Sequence, residues 1–144
     1  MNISKALKLK SRLVKEINQK WEIVNKHNSI ILGNRKNFDV VTIINEISVL
    51  TDQLVSLKEK IHITNAPVYS KIFKMSELKN YLKNLKSLDT KEGVVESRYG
   101  QNSNQYEVQI SNLEKNQMIE TVNKQIDELQ DELDYFNAIT LIKE

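Results

Sequence analysis

The chain has 144 residues with no cysteine, one proline and three glycines, which excludes disulfides, thiolate metal sites and cysteine nucleophiles and leaves few points where a helix must stop. Positive and negative side chains nearly balance, 21 against 19, but they are segregated: residues 1–36 hold nine Lys/Arg and two acids, residues 37–106 nine and eight, residues 107–144 three and nine. No uninterrupted apolar run approaches the ~18 residues of a membrane span, so a cytoplasmic protein with no membrane partner is expected.

The first helix is expected over about 4–28, with Ser4 as N-cap and a seam of Ile3, Leu7, Val14, Ile17, Trp21 and Val24 broken only by Lys10. The linker Ser29–Lys36, ending its apolar run at Gly33-Asn34, is long enough to be partly extended. The second helix, about 38–64, starts at Asn37 or Asp39 and carries strict 3,4 spacing at Val40, Ile43, Ile47, Leu50, Leu54, Leu57 and Ile61. Val41, Ile44, Val49 and Val55 widen that stripe beyond what one partner helix covers, which points to oligomerisation.

Pro67 resists helix in the residue before it, so Asn65–Lys71 reads as a loop. Ser76 then caps a third helix, about 77–88, with Leu78, Tyr81, Leu82, Leu85 and Leu88 on its apolar face. Two runs of period two follow, Val95/Ser97/Tyr99 and Tyr106/Val108/Ile110, around a polar turn, predicting a β-hairpin over about 94–110. A lone hairpin is marginal in water and needs support from helices or another subunit. The fourth helix, about 113–136, sets Ile119, Val122, Ile126, Leu129, Leu133 and Phe136 against a face of acids. The expected fold class is mainly α: one domain over 1–144, a long antiparallel helical hairpin or coiled-coil bundle with a small β-hairpin, assembled as a homo-oligomer.

Chemistry is poorly represented. His27 and His62 end the first two helices and would lie ~30 Å apart in an antiparallel hairpin, so no metal site is expected. No nucleophile elbow, phosphate-binding glycine loop or paired histidine motif appears, and the acids of the fourth helix form one solvated run rather than two contrasting carboxylates. The expectation is no enzyme and no cofactor. The remaining polar and aromatic residues sit outside the predicted helices: Asn65, Tyr69 and Lys71 in the loop, and Arg98, Tyr99, Gln101, Asn102, Asn104 and Tyr106 in the hairpin. Tyrosines can stack, amides read edges and Arg98 or Lys71 meet an anion. Against this, polar residues populate turns anyway, and Tyr99 and Tyr106 can be a cross-strand pair.

Ile3-Ser4-Lys5-Ala6-Leu7 followed by Leu13, Ile61-His62-Ile63-Thr64-Asn65-Ala66, Arg98-Tyr99 before an alternating strand, and Asp134-Tyr135-Phe136-Asn137 together resemble the septicolysin-like family of small helical bacterial and phage proteins, over nearly the whole length. Gly100 stands where that family tends to have Ser, and Ala138 where it often has Trp. The resemblance implies a helical hairpin core, a small β element and symmetric assembly, with no established enzymatic activity and no pore-forming chemistry.

The expectation for function is a non-enzymatic homo-oligomer that captures a small anionic or nucleotide-like molecule at a subunit interface, as a phage-encoded sequestering protein against host signalling would. The ligand residues are Asn65, Tyr69, Lys71, Arg98, Tyr99, Asn102 and Tyr106. The alternatives are a coiled-coil scaffold or adaptor and, third, nucleic-acid binding through Lys5, Lys8, Arg12 and Lys15. The third is set against the plainer reading that the basic first helix lies beside the acidic fourth.

Overall fold

The structure, a computed structural model, describes residues 1–96 and 103–143. It is mainly helical: α1 (Ile3–His27), α2 (Val40–Thr64), a 3-10 turn (Ala66–Val68), α3 (Tyr69–Lys86), β1 (Gly93–Glu96), β2 (Ser103–Tyr106) and α4 (Asn112–Ile139). The chain divides into two compact units, residues 1–67 with 134–144, and residues 68–133.

In the first unit α1 and α2 pack antiparallel. Ala6 and Leu13 of α1 cluster with Leu57 and Ile61 of α2, flanked by Leu7, Leu9, Leu50, Leu54 and Ile142. At the other end Lys20 bridges to Glu46 and the His27 ring packs on Phe38. All seven residues of the α2 seam read from the sequence are buried or half-buried, as a 3,4 repeat facing a single helix requires. Asp39 caps α2, its carboxylate accepting from the Thr42 N–H at 3.2 Å and the Thr42 hydroxyl at 2.8 Å.

The chain ends close this unit. Ile3 N–H donates to Thr140 O and Ile142 N–H to Met1 O, each at 3.0 Å, around an Asn2–Leu141 bridge. Ile3 is fully buried. Thr64, the one buried polar side chain among the described residues, accepts from the Lys143 N–H at 2.8 Å and donates to Lys60 O at 2.7 Å. Its hydroxyl therefore ties the last turn of α2 to the closing segment.

In the second unit α3 runs antiparallel to α4. Lys71 near the start of α3 meets Glu132 near the end of α4 at 2.9 Å, and Lys115 Nζ reaches Lys86 O at 3.0 Å and Leu88 O at 2.8 Å at the opposite end. Ser111 caps α4, accepting from the Glu114 N–H at 3.1 Å. Beyond the end of α3 the strands pair antiparallel, with Gly93 opposite Tyr106 and Val94 opposite Gln105.

Several expectations are corrected. The segment Asn65–Lys71 is not a loop: α3 begins at Tyr69, not at residue 77, and Ser76 lies inside it. Proline lacks an N–H that the first helical turn does not need, so Pro67 sits in the 3-10 turn, and Val68, Ile72 and Met75 carry the α3 seam back to that turn. Tyr81, placed on the buried face from the sequence, is exposed. The α1 cap is Asn2, not Ser4; its Oδ1 accepts from the Lys5 N–H while its Nδ2 donates to Ala138 O, both at 2.9 Å. On α1 the packed face is centred on Ala6 and Leu13, whereas Val14 and Trp21 are 40% and 42% exposed. These stripes lie one residue, or 100°, apart, and α2 takes the one where alanine permits close approach. The strands are shorter than expected, so Val108 and Ile110 fall past β2, and Tyr106 faces Gly93 rather than Tyr99. Finally, α2 does reach spanning length and composition: an eighteen-residue window has mean hydropathy 1.4 and is only 11% buried. Its scattered Thr, Asn, Ser and Gln residues hide that from a search for unbroken apolar runs.

Candidate functional site

Of the predicted ligand residues, Asn65, Tyr69, Lys71 and Tyr106 are among the described residues. Asn65 caps the C-terminus of α2 in the first unit, its N–H donating to Ile61 O at 3.0 Å. Its Oδ1 is buried and has no hydrogen-bond partner among the described residues. Tyr69 and Lys71 lie in the first turn of α3, in the second unit. Tyr69 stacks on Phe73 at 5.7 Å between centroids, and Lys71 is engaged with Glu132. Tyr106 ends β2 with Lys91 Nζ 5.8 Å from its ring centroid. The 18 residues of α3 put roughly 27 Å of helical rise between Tyr69 and the chain leading into the strands. Arg98, Tyr99 and Asn102 lie outside the described residues, as do Gly100 and Gln101.

The cavity beside Tyr106, about 680 Å³, is lined by Glu92 and Glu107 together with Gln105 and Gln109. Two carboxylates there favour a cation or a neutral donor over an anion. A groove of about 600 Å³ runs between α3 and α4, lined by Leu78, Tyr81, Gln117, Met118, Thr121 and Val122. Among the described residues no three His, Asp or Glu side chains gather as metal ligands. His27 and His62 stand at opposite ends of the α1–α2 hairpin.

The more extensive feature is a flank of the α1–α2 hairpin. Around each helix, the Lys20–Glu46 bridge marks one side of the packed seam. On the side away from it, the 100° step places Val14 and Trp21 of α1 and Ile44 and Val55 of α2. All four are exposed, Val55 to 60%, and Val41 continues the stripe toward the start of α2. An apolar surface spread along two adjacent helices marks an interaction face more surely than scattered exposed leucines do.

The basic residues of α1 form the outer border of this flank. Lys5, Lys8, Arg12 and Lys15 are exposed and make no ion pair among the described residues. The α1 lysine that does pair, Lys20, finds Glu46 of α2 rather than an acid of α4. Its pKa is raised above the ordinary 10.5, first by the hydrogen bond to Glu46, with the Glu46 and Glu16 charges adding and partial desolvation opposing. The widened α2 stripe was legible in the sequence. The matching role of Val14 and Trp21 was not, because in the sequence both fall on the 3,4-spaced seam of α1.

No family model matches this chain, and no curated protein or solved structure matches it either.

Proposed function

We propose that this chain is a non-enzymatic helical protein that works as an assembly of its own copies, with the α1–α2 hairpin as the assembling element. The observation that carries this reading is the exposed apolar flank of Val14, Trp21, Ile44 and Val55. Leaving such a surface in water forgoes about 25 cal/mol per Å² of burial, and covering it with a like surface recovers that term. Light scattering or sedimentation velocity on the intact chain tests the reading. A particle of at least twice the chain mass at micromolar concentration is expected; a single-copy species that stays folded would sink it.

A second reading is favoured by the buried Asn65 Oδ1, an acceptor lacking a donor. In this reading Asn65, Tyr69, Lys71, Arg98, Tyr99, Asn102 and Tyr106 supply amide, aromatic and cationic groups for a small anionic or nucleotide-like ligand at a subunit interface. Thermal-shift measurements against nucleotides, with Arg98→Ala as control, test it. Stabilisation of the wild type that the variant loses is expected; no shift with any nucleotide would remove it.

A further inference from the structure

Between Leu7 and Trp21 on α1 and between Val41 and Val55 on α2, the exposed residues of the flank are uncharged; the half-buried Lys10 stands at its inner edge beside the seam, and Lys58 one turn past Val55. The polar members of the flank are Ser11, Asn18, Ser48 and Thr51, all exposed. In a chain that is 28% charged, a strip whose exposed members are all uncharged resembles the centre of a protein interface, where charges are depleted. Its two outer edges are of opposite sign. Lys8 and Lys15, seven residues apart, border it on α1; Asp52 and Glu59, also seven apart, border it on α2. All four are exposed, and none forms an ion pair among the described residues.

The axial levels of these charges follow from the antiparallel packing. Lys20 stands opposite Glu46. Lys15 is five residues from Lys20, and Asp52 six from Glu46; Lys8 is twelve from Lys20, and Glu59 thirteen from Glu46. Lys15 and Asp52 therefore share one level along the hairpin, and Lys8 and Glu59 another, each to within about one residue or ~1.5 Å of rise. Within one hairpin these partners lie on opposite outer edges and do not meet.

We infer that the flank is the interface with a second copy of this chain, related by a two-fold axis running parallel to the helices. That operation lays α1 of each copy over α2 of the other, antiparallel and without axial shift. Lys15 then faces Asp52 of the second copy and Lys8 faces its Glu59, twice per dimer. A two-fold perpendicular to the helices would instead lay α1 on α1 and set lysines against lysines, so the edge charges select the first arrangement. The strip runs roughly 22 Å along each helix, and with the helices spaced about 10 Å apart it offers on the order of 450 Å² per copy, toward the low end of interface sizes and below the ~800 Å² of a standard one. Thr51 already donates to Ile47 O at 2.7 Å, but the Asn18 amide suits a protein surface that can hydrogen-bond to it and disfavours lipid, where it would go unsatisfied.

This inference rests on the assembly reading, and charge exchange on the intact chain separates the two. The variants are Lys8→Glu with Lys15→Glu, and Asp52→Lys with Glu59→Lys, each checked for helical content by circular dichroism. Sedimentation should show a wild-type dimer, each double variant weakened at least roughly tenfold in self-association, and recovery of dimer when the two are mixed in equal amounts. Variants that dimerise as well as wild type, or a mixture that stays monomeric, would overturn the interface while leaving assembly intact. A monomeric wild type would overturn both. Flotation of the wild type with phosphatidylcholine vesicles would assign the flank to lipid and would also overturn the inference.

Discussion

Lys20 donates to Glu46 across 2.8 Å, and this contact gives the α1–α2 hairpin a polar flank and, by contrast, an apolar one. A lysine whose folded pKa is raised contributes stability that is fully present below its unfolded value near 10.5 and lost as pH rises through the higher folded value. Lys20→Met should therefore lower the urea midpoint slightly at pH 8, and the gap from wild type should close as pH rises through the raised folded value of Lys20. The bridge is solvent-exposed and its effect small; a gap that stays undiminished once lysines are deprotonated would refute the assignment.

Leu57 and Val49 test the phase of α2. Leu57 is 7% exposed and belongs to the core cluster, so Leu57→Ala should cost about 2–5 kcal/mol. Val49, exposed and on the side of the Lys20–Glu46 bridge, should tolerate alanine within ~0.5 kcal/mol. Denaturant unfolding of both variants checks the contrast, and equal losses would mean that the helix is rotated.

Asp39 links the start of α2 to pH. Its pKa is lowered, first by the Thr42 hydroxyl and then by the Thr42 N–H, with burial opposing. A carboxylate with a depressed folded pKa contributes stability present above its unfolded value near 3.8 and lost as pH falls through the lower folded one. Amide exchange of Val41 and Thr42 should accelerate in that acid window, and Asp39→Asn should keep the cap while removing this part of the pH response.

Thr64 is 2% exposed and holds the Lys143 N–H. Thr64→Val keeps the shape but leaves that donor without its acceptor, at a cost of ~1–3 kcal/mol. Faster exchange of the Lys143 amide should accompany the loss of stability.

Gly93 opens β1 with φ +81°, and an added Cβ would meet no atom within 4 Å. Any penalty of Gly93→Ala therefore comes from backbone conformation alone, about 1 kcal/mol. Amide protection of Val94 and Gln105 in the strand pair should fall while the helical signal stays unchanged.

Local repeats made α2 legible: seven apolar residues in strict register leave one face to bury. The α1 pattern was harder, because Ala6/Leu13 and Leu7/Val14/Trp21 are neighbouring stripes and only the partner helix decides which one packs. Pro67 misled about α3 because a proline that breaks a helix interior is welcome just before a helix. Contacts such as Asn2 with Leu141 and Thr64 with Lys143 join distant stretches and leave no periodic trace. The candidate ligand residues are legible by their chemistry alone, because turn and loop positions carry no repeat that would fix their placement.

The pairing of residues 1–3 with 140–143 also sets an order of events at the ribosome. The α1–α2 hairpin emerges before the second unit and can join through Leu13 and Leu57, yet Ile3 and Thr64 lack their covers until the whole second unit has been translated. The hairpin, synthesised before the second unit, is thus completed after it. A nascent chain arrested after Leu133 would display the opening turn of α1 to proteases, and release of the final segment would hide it.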